Sequence, residues 1–182
     1  NGIPDSDDIL QGTSNDADQD GVPDECQPGD RPFCEGDGSQ NGGADCPCMN
    51  NGNFGEGCDN GSGSGGLLTG SGVPSVSNDT YSLTASQIPA NSPGFFYFQT
   101  TPPNSPAPFG NGLNCIPLAV PYFKVDGGGT IPQRGFPPIS TLLGLQPGDK
   151  SYFQFWYRNP QSPCPGTMWV NSTNGVETTW GL

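Results

Sequence analysis

Hydrophobic and polar residues alternate with a period of two along the second half of the chain. Residues 80–86 place Tyr81, Leu83 and Ala85 between serines and threonines, which is the pattern of a half-buried β-strand. Aromatic and β-branched runs bounded by Gly, Pro and Asn follow, and no convincing helical period is present. These runs predict further strands at residues 95–98, 119–125, 151–157, 167–170 and 176–180.

The last two runs are separated by Asn174-Gly175, a dipeptide that favours a two-residue hairpin turn. Roughly eight or nine short strands with turn signals between them are typical of an antiparallel sandwich. We therefore predict an all-β fold, with an antiparallel β-sandwich over residues 65–182.

Charge and composition exclude several classes of function. The 182 residues contain 29 Gly and 21 Pro, and 5 Lys and Arg against 18 Asp and Glu give a net charge of -13. Binding to nucleic acid or to an anionic membrane is therefore disfavoured. The chain has no His, which removes Ser-His and Cys-His nucleophile pairs and His-ligated metals. No apolar stretch approaches the roughly 20 residues of a membrane helix.

Seven cysteines provide the next signal. Cys46-Pro47-Cys48 has C-x-C spacing and no second knuckle follows, so disulfides are favoured over a zinc cluster. Residues 32–64 hold four of the seven cysteines and few apolar residues, which predicts a disulfide-stapled linker. Sequence does not fix connectivity; the pairs we expect are Cys34–Cys46, Cys48–Cys58 and Cys115–Cys164, with Cys26 left as a free thiol or bonded elsewhere.

Residues 16–24 form the densest acidic stretch and have the spacing of an EF-hand-type calcium loop. Ca²⁺ takes about six to eight oxygens, and alternate residues of a tight loop point toward it. Gly21 occupies the sharp bend, and Gln27 stands where a bidentate acid is usual, so Asp30 is an alternative ligand there. A solvated acidic turn is the alternative reading. The predicted ligands are the side chains of Asp16, Asp18, Asp20 and Asp24 and the carbonyl of Val22.

The start of the chain repeats this pattern at a spacing of 19 residues, with Gly2 matching Gly21 and Pro4 matching Pro23. It supplies the second half of a loop, and we expect upstream residues or a neighbouring subunit to complete it. The predicted ligands here are Asn1, Asp5 and Asp8.

These tandem loops, N-G-I-P-D and D-x-D-G-V-P-D-E-C, resemble the calcium repeats of thrombospondin type 3 and dockerin proteins. The resemblance covers about the first 27 residues and implies a linker whose rigidity depends on calcium, and the dockerin likeness adds a partner-binding role. We therefore predict a segment of tandem calcium-binding loops over residues 1–31.

A second resemblance covers residues 33–180. The motifs are F-C-E-G-D-G at 33–38, C-P-C at 46–48, F-G-N-G-L-N-C at 109–115, W-Y-R at 156–158 and N-S-T-N-G at 171–175. They resemble secreted proteins of planctomycete-type bacteria, which implies an extracellular β-rich module without an activity to carry over. Asn111 and Asn114 replace an acid and a base of the related loop, so no charge-based role is expected there.

Catalysis is not expected, because the acids after Asp79 are far apart in sequence, at Asp126, Asp149 and Glu177. Aromatic residues either pack in the sandwich core, which we favour, or form a sugar-stacking platform. The aromatic candidates are Tyr152, Trp156, Trp169 and Trp180.

Other candidate positions lie outside these groups. Asp37 and Asp45 are alternative calcium ligands in the stapled stretch. N-x-[ST] sequons, which require an exposed asparagine, occur at Asn60, Asn78 and Asn171.

The sequence thus predicts a non-enzymatic, secreted, extracellular or cell-surface structural protein with calcium as its cofactor. We expect a subunit of a bacterial fibre or surface layer that self-associates into a homopolymer, with no membrane span. The alternative is an adhesion or carbohydrate-binding module of a larger secreted protein.

Overall fold

The computed structural model describes residue 11 and residues 29–38, 45–116, 121–126, 128–132 and 135–182. This part of the chain is mostly β, as predicted, with one short helix, α1 (Ile139–Leu143). The strands are β1 (Gly29–Phe33), β2 (Leu67–Ser71), β3 (Ser82–Ser86), β4 (Pro93–Gln99), β5 (Ala107–Phe109), β6 (Gly112–Asn114), β7 (Pro121–Asp126), β8 (Gly129–Ile131), β9 (Lys150–Arg158) and β10 (Val170–Thr179).

The strands form antiparallel sheets, which confirms that part of the prediction. A five-stranded sheet has the order β1-β10-β9-β4-β7, a three-stranded sheet has the order β2-β3-β8, and β5 and β6 make a hairpin. All pairs between these strands are antiparallel. Central position in the larger sheet explains why β9 is buried along most of its length.

The five-stranded and three-stranded sheets share one apolar core. Successive side chains of a strand point to opposite faces, so Phe153, Phe155 and Tyr157 of β9 enter this core while Gln154 and Trp156 lie on the other face. The buried members of the core are Leu68, Tyr81, Leu83, Ala85, Phe96, Ile131, Ile139, Leu145, Phe153, Phe155, Tyr157, Val176 and Trp180.

The outer face of the five-stranded sheet carries smaller clusters. Tyr97 and Tyr152 of the sheet are buried against Ile116. A neighbouring cluster brings Leu113 of β6 together with the stapled stretch, whose main chain packs closely on β10; a Cβ on Gly57 would lie 2.3 Å from the carbonyl oxygen of Ser172. The buried cysteines of that cluster are Cys34, Cys46, Cys58 and Cys115.

All six cysteines expected in disulfides form them, but the expected pairs are wrong. The bonds join Cys34 to Cys115, Cys46 to Cys58 and Cys48 to Cys164, across 81, 12 and 116 residues of sequence. The expectation paired near neighbours because it treated residues 32–64 as a segment stapled to itself. Instead the segment lies against the sheet, and two of its cysteines reach partners in the β-rich body.

The hairpin predicted at Asn174-Gly175 is also wrong, because both residues lie inside the single strand β10. Its pairing with β9 shifts between Ser172 and Gly175, which marks a bulge or irregularity. Gly175 allows a close approach there, since a Cβ would lie 2.3 Å from the ring of Phe33 on the adjacent strand and would have to displace it.

The helix α1 was not predicted, because five residues are too few to show a helical period. Its ends are set by other means. The carboxylate of Asp79 accepts the backbone N–H of Ser140 at 2.8 Å, and Gly144 closes the helix in the left-handed conformation at φ 66°.

Candidate functional site

The predicted calcium ligands Asn1, Asp5, Asp8, Asp16, Asp18, Asp20, Val22 and Asp24 lie outside the described residues, as does Cys26. Within the described part of the chain, no group of three or more His, Cys, Asp or Glu residues could hold a metal ion.

Asp30, the alternative calcium ligand, contacts residues of β10 and of the loop before β3 in the β-rich body. Its Oδ1 accepts hydrogen bonds from the hydroxyl groups of Tyr81 and of Thr178, the latter at 2.7 Å. Burial raises the pKa of this carboxyl group, although both hydrogen bonds oppose the shift. Asp30 therefore anchors β1 over the edge of the core.

The acids after Asp79 that have described side chains make separate local contacts. Glu177 forms an ion pair with Lys150 at 2.7 Å, and Asp149 accepts the backbone N–H of Gln146 at 2.8 Å. In the stapled stretch, Asp37 accepts the N–H of Gly55 at 3.3 Å. Asp45 lies exposed in the same stretch, and of Asp126 the structure describes the backbone.

The three sequons differ in exposure. The side chains of Asn60 and Asn171 are fully buried, and their amide nitrogens donate to the carbonyl oxygens of Gln87 at 2.8 Å and Cys58 at 3.0 Å. An N-linked glycan needs that nitrogen to face solvent, so the folded chain excludes both positions. Asn78 is exposed and meets the requirement.

The four aromatic candidates separate into core and surface residues. Trp180 is buried, donates its indole N–H to Ser151 at 3.0 Å and packs edge-on against Tyr81. Tyr152 is buried against Phe33. These two are core residues, as favoured from the sequence; Trp156 and Trp169 remain as surface candidates.

Trp156 and Trp169 line one open groove at the end of β9 and the start of β10. The groove has a volume of about 400 Å³. Arg158 pairs with Val170 across the sheet, and the backbone N–H of Asn159 donates to the carbonyl of Trp169 at 2.9 Å. We call this surface the Trp groove. Its lining residues are Trp156, Arg158, Thr167, Met168, Trp169 and Val170.

The Trp groove combines a fixed aromatic ring with an exposed one. Trp156 is half-buried and stacks on Phe95, with ring centroids 4.7 Å apart and planes inclined by 20°. Trp169 and the neighbouring Met168 are 58% and 59% exposed. Sequence reasoning named both tryptophans but not Met168, Thr167 or Val170 as site residues, because it predicted a strand over residues 167–170. That strand prediction is wrong, since residues 167–169 form a loop and β10 begins at Val170.

The loop that carries Trp169 is fixed at both ends. The Cys48–Cys164 disulfide holds its start, where Thr167 donates its hydroxyl to the carbonyl of Cys164 at 2.9 Å. At the other end, buried Asn111 donates its backbone N–H to the carbonyl of Val170 at 2.9 Å. Asn111 therefore positions this loop.

Arg158 gives the groove its charge. Its side chain is exposed at the end of β9. Among the residues that the structure describes, no carboxylate lies within salt-bridge distance of this guanidinium group. The arrangement offers two aromatic faces, a thioether and a set of N–H donors on one surface, which suits a ligand with both apolar faces and hydroxyl groups.

Comparison of the chain with protein-family models, with curated proteins and with solved structures finds no match. In the part of the chain that the structure describes, no helix has the length and apolar character needed to cross a membrane. Three disulfides in a chain of this size are typical of proteins from oxidising compartments.

Proposed function

We propose that this protein is a non-enzymatic extracellular structural module, a calcium-stabilised subunit of a bacterial fibre or surface assembly. The observation that carries the proposal is the long-range cross-linking of its body. Two disulfides, Cys34–Cys115 and Cys48–Cys164, connect the stapled stretch to parts of the chain 81 and 116 residues away. Such cross-links oppose unfolding, and a surface module under mechanical load has to resist unfolding.

Buried side-chain amides support the same function. Asn50 donates to the carbonyls of Asp59 and Asn111, both at 2.8 Å, and so joins the stapled stretch to the turn of the β5–β6 hairpin. Asn111 in turn accepts from the amide of Asn159 at 3.0 Å. Fully paired buried amides specify one arrangement of loops, because each alternative leaves polar groups unsatisfied.

Calcium enters the proposal through the acidic loops of residues 1–31. Bound ions would make this segment rigid and would favour its docking on the next subunit, which gives a homopolymer. Tight loops of this kind lose their fold when the ion is removed, because clustered carboxylates repel one another.

A matched pair of variants in the full chain tests this proposal. Asp20→Ala removes a predicted ligand at loop position 5, whereas Glu25→Ala removes the same charge at position 10, which supplies no ligand. Calorimetric calcium titration and sedimentation velocity should show loss of calcium binding and of assembly in Asp20→Ala alone. A wild-type chain that stays monomeric in calcium, or equal behaviour of the two variants, contradicts the proposal.

A second candidate function, adhesion through glycan binding, is favoured by one observation. Trp169 is 58% exposed on a loop whose backbone is held by a disulfide and by Asn111. Core packing does not explain an indole in that position.

A further inference from the structure

We infer that the Trp groove binds a neutral oligosaccharide of pyranose sugars. This inference rests on the second candidate function and is independent of calcium-dependent assembly. The groove lies on the outer face of the five-stranded sheet, beside the β5–β6 hairpin, and its volume of about 400 Å³ is within the usual range of ligand sites.

The first step is the aromatic surface. A pyranose ring has an apolar face made of C–H groups, and aromatic side chains stack on such faces while leaving the hydroxyl groups at the rim free. Trp169 offers an exposed indole, and Trp156 is held at a fixed inclination by its stack with Phe95. Exposed large apolar groups that lie together mark interaction sites more often than isolated ones do.

The second step is preorganisation. The carbonyls of Met168, Trp169 and Val170 all accept hydrogen bonds from within the fold, so the loop backbone is already ordered. Binding therefore requires little further loss of conformational freedom beyond the side chains.

The third step is charge, which selects a neutral ligand. Fourteen of the 18 acidic residues lie in residues 1–59, and residues 65–182 carry four acidic and four basic side chains, so the β-rich body has no net charge to attract a polyanion. Arg158 places several N–H donors beside the two indoles, and none of the groove's lining residues is acidic. Guanidinium donors bind sugar hydroxyls without requiring a compensating negative charge.

Isothermal titration of the full chain with a probe set tests the inference. The probes are cellotetraose, xylotetraose and mannotetraose as neutral sugars and tetragalacturonate as an acidic one. We expect saturable binding of at least one neutral tetrasaccharide, with an affinity that changes little between about 50 and 500 mM salt because no ion pair forms. Trp169→Ala should weaken that binding about tenfold or more.

A matched control uses Phe54, an aromatic residue that is 88% exposed and lies outside the Trp groove. Phe54→Ala should leave binding unchanged, and Arg158→Gln should weaken it, with unfolding midpoints close to the wild type in each case. The inference is overturned if no neutral probe binds, if tetragalacturonate alone binds, or if Trp169→Ala binds as the wild type does. Sedimentation that shows a Trp169-dependent dimer without sugar binding also overturns it, since the groove would then be a contact between copies.

Each sugar titration is run once in calcium and once in chelator. Sugar binding and calcium-dependent assembly are therefore measured separately. Sugar binding without assembly supports this inference and contradicts the calcium-dependent polymer. Assembly without sugar binding does the reverse.

Discussion

The side-chain amide of Asn174 forms a two-way hydrogen-bonded pair with the backbone of Leu68. Its Oδ1 accepts the N–H of Leu68 at 2.7 Å, and its Nδ2 donates to the carbonyl of Leu68 at 3.0 Å. The amide thus takes the place of a peptide group on a neighbouring strand. It fastens β10 of the larger sheet to β2 of the smaller one, at a point where both residues are buried.

We expect Asn174→Asp to lower the free energy of unfolding by about 2–3 kcal/mol. The change replaces the donor with an acceptor, so the buried carbonyl of Leu68 loses its partner and faces a carboxylate oxygen. Urea unfolding followed by tryptophan fluorescence measures this. Asn104→Asp, at an exposed position, is the control and should change the stability by less than about 0.5 kcal/mol. Equal effects of the two variants would show that the amide pair contributes nothing specific.

Peptide mapping under non-reducing conditions should find cross-linked peptides that contain Cys34 with Cys115, Cys46 with Cys58 and Cys48 with Cys164. A Cys34–Cys46 peptide, the pair that short spacing suggested, would contradict the described fold. Mass spectrometry of the intact chain before and after reduction provides the control for free thiols.

Removing the Cys48–Cys164 bond with serine at both positions should lower the free energy of unfolding by about 2–5 kcal/mol. The Cys46–Cys58 disulfide closes a much shorter loop, with a sequence separation of 12 residues against 116. Serine at both of its positions should therefore lower the free energy of unfolding by less. Differential scanning calorimetry compares the two. A larger loss for the short loop would mean that strain or packing outweighs chain entropy.

The carboxyl group of Asp30 predicts a specific dependence of stability on pH. Burial raises its pKa in the folded chain above the ordinary 3.8. At pH values between the unfolded and the folded pKa, the folded chain therefore holds more protons than the unfolded chain. Its contribution to stability is therefore complete below about pH 4 and is lost as pH rises through the folded pKa. Asp30→Asn keeps an acceptor for Tyr81 and Thr178 but does not titrate.

The stability of Asp30→Asn relative to the wild type should thus increase with pH from about pH 4 and then level off. Tyr81→Phe removes a hydrogen bond that lowers this pKa, so the falling part of its profile should extend to higher pH. Urea unfolding at a series of pH values measures both. Parallel profiles for Asp30→Asn and the wild type would contradict the assignment.

Gln154 is a buried polar residue whose loss should be costly. Its Nε2 donates to the carbonyls of Leu113 and Thr173 at 2.9 and 2.8 Å, and its Oε1 accepts from the hydroxyl of Tyr97 at 2.8 Å and the N–H of Cys115 at 3.3 Å. Gln154→Met keeps the side-chain volume but removes the amide that pairs with these four groups. We expect the free energy of unfolding to fall by about 3 kcal/mol or more.

The matched change at an exposed glutamine, Gln161→Met, should alter stability by less than about 0.5 kcal/mol. Chemical unfolding of both variants decides the matter. A tolerant Gln154→Met would mean that water or a rearranged loop replaces the amide.

The sequence predicted the strands whose pattern is local. Runs at residues 95–98 and 151–157 lie within β4 and β9, because alternating aromatic residues fit a pleated surface with two covered faces. The strand predicted at residues 176–180 matches the second half of β10, but its continuity with residues 170–175 was not predicted, since Asn174-Gly175 has the chemistry of a tight turn. Tertiary contacts with Leu68 and the ring of Phe33 decide its conformation instead.

The candidate site was predictable only in part, for a similar reason. Trp169 and Trp180 have comparable neighbours in sequence, yet one is 58% exposed and the other 1%. The difference comes from the Cys48–Cys164 disulfide and the β5–β6 hairpin, which fix the loop before β10 away from the core. Such long-range contacts have no local pattern, so disulfide pairs and surface grooves escape sequence reasoning.

Electron microscopy of the full chain, in calcium and after addition of a chelator, tests the proposed structural role most directly. The account predicts ordered fibres or sheets in calcium that loosen or fray on chelation, with the Asp20→Ala variant failing to form them. Discrete particles of single-chain size in both conditions would contradict it.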